Sequence, residues 1–67
     1  MTDTDKLIEA TRDAVEAFGM REGQALMTAA ETLDPIFAKS IRGTQADPYH
    51  NDDNIDTFWK MYTGSKV

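Results

Sequence analysis

The sequence predicts an all-α protein, a small bundle of three to four short helices. Apolar residues recur at spacings of three and four, no segment shows strand-like alternation, and capping residues or glycines stand at the ends of the periodic segments. The expected helices span about residues 5–18, 22–33, 35–42 and 53–63, with a loop at 43–52. We expect one helical domain over residues 1–67, with short frayed termini.

The first helix is predicted by an apolar stripe that has Leu7 and Ala14 on its flanks. The stripe comprises Ile8, Thr11, Val15 and Phe18. The start of the helix can cap the exposed N–H groups and complement the positive end of the helix dipole through Thr2, Asp3, Thr4 and Asp5. Gly19 follows at once, where a left-handed residue often ends a helix.

The second helix is predicted to be the central packing element. The segment from Ala25 to Thr32 is rich in small residues, which let a neighbouring helix approach closely. One side of this helix carries Leu26, Ala29, Ala30 and Leu33. Gly23 near its start is expected to weaken the first turn.

The third helix is predicted to begin at Asp34-Pro35, a capping residue followed by a proline suited to the first helical position. Its apolar positions are Ile36, Phe37 and Ile41, and Gly43 is expected to end it. The segment that follows is aperiodic, and loops of about ten residues are often functional.

The last helix is expected to be capped by Asp52 or Asp53 and stopped by Gly64. Its apolar positions are Ile55, Phe58, Trp59 and Tyr62. Phe58 and Tyr62 share one stripe with Ile55 and are predicted to be core residues. Either Trp59 or Met61 should then lie nearer the surface.

Charge and composition disfavour several classes of function. Twelve acidic and seven basic residues give a formal net charge of −5, which argues against direct nucleic-acid binding through phosphate neutralisation. The absence of cysteine excludes disulfides and thiolate metal sites. The sequence has neither a signal-peptide pattern nor an apolar run of about 20 residues, so we expect a cytoplasmic protein without a membrane span.

An enzymatic site is not expected. Ser40 and Ser65 lie outside any nucleophile motif, and His50 is the single histidine. Residues 47–54 concentrate oxygen ligands, but Asp52 stands where a calcium-binding EF-hand loop needs glycine, and one histidine is too few for zinc. We predict no catalytic residue, no metal site and no cofactor, and keep a small metal-dependent module as an alternative.

Two acidic regions are the candidate partner-binding sites. The first, the acidic arc, lies opposite the apolar stripe of the first helix and comprises Asp5, Glu9, Asp13 and Glu16. The second, the loop acids, comprises Asp47, Asp52, Asp53 and Asp56. Trp59 follows the loop acids and belongs to a residue type enriched at binding hot spots. Each region is interpreted either as solvated surface or as a negative surface for a basic partner.

The leading hypothesis is a small accessory or inhibitory protein that docks on a larger protein with a basic surface. Small acidic proteins that bacteriophages encode to block host or defence factors have this size and charge, and mimicry of DNA is the sharpest version. The alternative is a helical subunit of a homo-oligomer or larger structural assembly, because a 67-residue chain buries a limited core.

Overall fold

The computed structural model describes residues 3–65 and contains no β-strand among them. Its helices are α1 (Asp3–Phe18), α2 (Glu22–Leu33), α3 (Pro35–Ile41) and α4 (Ile55–Ser65), and a 3-10 turn (Asp52–Asn54) leads into α4. The predicted all-α class is confirmed. The predicted fraying concerns chain ends that lie outside the described residues.

Local capping explains where the helices begin and end. Asp34 accepts a hydrogen bond from the Phe37 backbone N–H at 3.2 Å, and Pro35 occupies the first turn of α3, as the sequence predicts. Gly19 and Gly43 take positive φ angles of 66° and 77°, the left-handed conformation that favours glycine after a helix.

The prediction for the two ends of the last helix was wrong. Asn51, rather than Asp52 or Asp53, caps the 3-10 turn that leads into α4, since its side chain accepts a hydrogen bond from the Asp53 N–H at 2.9 Å. Asp52 is engaged elsewhere, at the start of α2. Gly64 lies inside α4 without a positive φ angle and so does not stop the helix.

The core forms around α2, which confirms its predicted central role. The buried residues of this helix are Gly23, Ala25, Leu26, Met27, Ala29 and Ala30. Phe58 and Tyr62 of α4 are also buried, as predicted, with ring centroids 5.9 Å apart. Phe37 of α3 meets both rings edge-on, at 5.4 and 5.1 Å. Small residues in α2 thus leave room for an aromatic cluster.

The orientation of α1 differs from the predicted one. Leu7 and Thr11 are its buried residues, whereas Ile8 and Phe18 of the predicted stripe are 42% and 76% exposed. The helix is rotated so that the predicted flank faces the core, and Phe18 lies in the last turn. Thr11 tolerates burial because its Oγ1 donates to the Leu7 carbonyl oxygen at 2.7 Å.

Two further apolar residues predicted to share core-facing stripes are exposed. Leu33 in the last turn of α2 is 48% exposed, and Ile36 in the first turn of α3 is 83% exposed. Both flank the Asp34 cap, where the chain changes direction. A prediction from periodicity extends the apolar stripe to the end of a helix, whereas the neighbouring element that covers the stripe ends earlier.

Candidate functional site

The acidic arc lies on the outer face of α1. All four of its residues are exposed. At about 100° per residue the arc is centred opposite the buried Leu7 and Thr11. The four carboxylates therefore share one open face of the molecule, and their role in binding stays a prediction.

The loop acids have different surroundings, and Asp47 shapes the loop itself. Its carboxylate accepts hydrogen bonds from the backbone N–H groups of Gly43 and Tyr49, both at 2.9 Å. Its carbonyl oxygen accepts a third from the Asn54 side chain at 3.0 Å. Asp47 thus holds together a segment in which Ala46 and Pro48 are buried.

Asp52 joins the loop to the start of α2. Its Oδ1 accepts from the Gly23 N–H at 3.1 Å and lies 3.3 Å from Nη1 of Arg21. Arg21 also donates through Nη2 to the Tyr49 carbonyl oxygen at 2.6 Å. Asp52 therefore caps α2 from 29 residues away, a role that local sequence patterns do not reveal.

The close approach of Asp52 to the start of α2 explains why residue 23 is a glycine. A Cβ atom at this position would collide with the Pro48 carbonyl oxygen and the Asp52 carboxylate. The sequence suggested a weak first turn, whereas the structure shows a close approach of two segments that glycine alone permits. Asp47 and Asp52 have structural roles, while Asp53 in the 3-10 turn and Asp56 in the first turn of α4 are exposed.

A groove of about 380 Å³ lies between α1, α2 and α4. Its apolar lining comes from Ile8, Val15, Leu26 and Trp59. The exposed residues Arg12, Glu16 and Glu22 line it as well and provide its charge. Sequence reasoning missed this groove because it assigned Ile8 and Val15 to the core stripe.

Trp59 is held in place where it lines the groove. Its ring meets Phe58 and Tyr62 edge-on, with centroids 5.4 and 5.8 Å away. It is partly buried, whereas Met61 is 48% exposed, so Met61 is the one nearer the surface. The indole is therefore fixed by core aromatics while part of it faces the groove.

The groove and the acidic arc adjoin on α1. Glu16 belongs to both, because it is the fourth residue of the arc and also lines the groove. Glu22 contributes a second carboxylate from α2, and Arg12 one positive charge. The structure brings Trp59 and Glu16 to one site; the loop acids do not line this groove.

Two further hollows have a different character. One, of about 370 Å³, is lined in part by the ion pair between Arg42 and Glu31, whose Nη2 and Oε1 are 2.9 Å apart. The other, of about 300 Å³, combines Lys6 and Asp34 with Leu33. The apolar part of their lining is smaller than that of the groove beside Trp59.

Residues 3–65 bring no group of three His, Cys, Asp or Glu residues into an arrangement that could hold a metal ion. His50 is exposed, and its ring centroid lies 4.8 Å from that of Tyr49. The described helices are all too short or too polar to cross a membrane. A cytoplasmic location stays a prediction from the sequence.

No protein-family model, curated protein or solved structure matches the chain. The surface features that bear on function are the acidic arc, the adjoining groove and the carboxylates beside it.

Proposed function

We propose that this chain is an accessory or inhibitory protein that docks on a larger protein with a basic surface. The observation that carries this proposal is the junction of the acidic arc and the apolar groove on α1. Glu16 is common to both, and Trp59 lines the groove from α4. A partner on this side would meet carboxylates and an apolar hollow within one continuous surface.

This layout matches the general anatomy of protein interfaces. Such interfaces combine a central apolar region, where aromatic anchors contribute much of the binding energy, with a polar border. Here Trp59 and Ile8 supply the apolar centre, and Glu16 and Glu22 supply the border. The net charge of −5 attracts a basic partner and raises its association rate.

Assembly into a homo-oligomer is the second candidate. A two-fold interface sets one patch against itself, so two acidic arcs would repel each other, and assembly would have to use a different surface. Ile36 and Phe18 are 83% and 76% exposed and lie outside the groove lining. Light scattering decides this: a mass above 7.5 kDa and a melting temperature that rises with concentration support assembly, and a monomer excludes it.

To test docking, the chain is immobilised and the proteins that it captures from a lysate of the source organism are identified. Wild type is compared with the double variant Glu9→Gln/Asp13→Asn, which neutralises two arc carboxylates and leaves the groove lining intact. The matched control is Thr32→Lys/Gln45→Lys, which changes the net charge by the same two units at exposed positions outside the arc.

We expect wild type and the control to capture a basic protein that the arc variant loses. Capture should weaken with salt, because added ions screen exposed charges. Equal capture by all three chains, or capture that is insensitive to salt, would contradict the proposal. If the partner binds DNA, competition by duplex DNA tests the mimicry form of the proposal directly.

A further inference from the structure

We infer that the groove receives a basic amphipathic helix of the partner, with a large apolar side chain seated beside Trp59. This inference rests on the proposed function and specifies the chemistry of the partner segment. It assigns the apolar centre of the interface to the groove and the flanking attraction to Glu16 and Glu22.

The dimensions of the groove suit helical anchors. Ile8 and Val15 line the same wall and are seven residues apart on α1, which corresponds to about 10 Å along the helix axis. Residues at i and i+4 of a partner helix stand about 6 Å apart. Two successive anchors of one helix face therefore fit within the length of this wall.

Charge complementarity specifies the flanks of that helix. Glu16 stands on α1 and Glu22 on α2, so two of the three helices that form the groove present carboxylates to it. Lysine or arginine residues beside the apolar anchors would pair with them. Arg12 adds one positive charge to the same lining, which disfavours a uniformly basic segment and favours one orientation of the partner.

The same charges disfavour a lipid surface as the occupant. Membranes that bind peripheral proteins by charge are anionic, and they would repel a chain with a net charge of −5. A basic peptide segment gains from both the charge and the apolar lining. Peptide helices seated in apolar grooves through residues at i, i+3 and i+4 are a recurrent mode of recognition.

The test uses a displayed library of random peptides of about 15 residues, because shorter peptides seldom hold a helix. The library is selected on the full wild-type chain. We expect the enriched peptides to carry Lys or Arg and a pair of large apolar residues at i and i+3 or i+4. Binding of these peptides should also shift the emission of Trp59, the only tryptophan of the chain.

Two matched variants locate the binding site. Ile8→Gln removes an apolar side chain from the groove, and Ile36→Gln makes the same change at an exposed position outside it. Both positions are helical and partly or largely exposed, and glutamine is a good helix former, so both variants should fold. Circular dichroism checks this before binding is measured.

We expect Ile8→Gln to lower the affinity for the selected peptides by about tenfold or more, the loss typical of a central interface contact. Ile36→Gln should leave that affinity unchanged. Enrichment of basic peptides without an apolar pair, or equal binding to both variants, overturns the helix-in-groove inference. Failure of enrichment overturns it as well. Docking through the acidic arc is judged separately, by loss of the captured partner with Glu9→Gln/Asp13→Asn.

Discussion

Gly23→Ala is the substitution that best separates the three-dimensional contacts of this fold from its local helix preferences. In a helix interior, alanine is more favourable than glycine by about 1 kcal/mol. Helix propensity alone therefore predicts that the substitution raises the free energy of unfolding. In the structure, however, the added methyl group would collide with the Pro48 carbonyl oxygen and the Asp52 carboxylate. One of the two segments would have to move away.

The expected cost follows from the contacts that would be disturbed. Overpacking against backbone costs about 1–3 kcal/mol. Displacement of Asp52 would also weaken its 3.1 Å hydrogen bond with the Gly23 N–H, and hydrogen bonds to charged groups contribute about 1.5–3 kcal/mol. The Asp52 side chain is 47% exposed, so the lower end of that range applies. After the helix gain is subtracted, a net loss of about 1.5–3.5 kcal/mol remains.

Thermal and urea unfolding, followed by circular dichroism, measure this loss. For a chain of this size 1 kcal/mol corresponds to about 4–8 °C in melting temperature. Gly64→Ala is the matched control, because Gly64 lies in α4 and an added Cβ meets no atom within 4 Å. The control should be neutral or slightly stabilising. A Gly23→Ala chain as stable as wild type would refute the assigned close approach of α2 and the loop.

The remaining predictions concern the cap and the core. Asp52→Ala should lower the free energy of unfolding by about 0.5–2 kcal/mol, because the Gly23 N–H loses its acceptor, while Asp53→Ala should change it by less than about 0.5 kcal/mol. Equal losses for the two variants in urea unfolding would contradict the assignment of Asp52 as the cap of α2. Phe58→Ala should cost about 3–5 kcal/mol, because this fully buried ring contacts Phe37 and Tyr62, and a retained cooperative melt near the wild-type temperature would contradict its central place.

Much of the fold could be predicted because its signals are local. The α2 bounds follow from the spacing of apolar and small residues, and the Asp34-Pro35 pair marks the start of α3 without reference to the rest of the chain. Phe58 and Tyr62 are one helical turn apart on the apolar side of α4. Their burial follows from that stripe.

The contacts that could not be predicted join residues distant in sequence. The Asp52 cap on α2 and the need for glycine at position 23 depend on how the loop packs, and no local pattern encodes that. The prediction of the orientation of α1 was wrong for a related reason. Leu7 and Ile8 are neighbours with similar hydrophobicity, so periodicity alone cannot decide which of them faces the core.

The candidate site combines a predicted part with an unpredicted one. The acidic arc is exposed on one face of α1, as its spacing indicates. The groove required knowledge that Ile8 and Val15 are left beside the core and that Trp59 approaches them from α4. An apolar residue that packing does not use is visible only once the helices are placed.

Carboxylate footprinting of the chain in complex with its captured partner tests directly whether the acidic arc and the groove form the docking surface. Carbodiimide labels exposed Asp and Glu side chains, and labelling of the bound chain is compared with that of the free chain. Glu31, which pairs with Arg42 away from the groove, serves as the internal reference. We expect protection of Glu9, Glu16 and Glu22 with unchanged labelling of Glu31. Unchanged labelling of Glu9, Glu16 and Glu22, with protection elsewhere, would contradict this expectation.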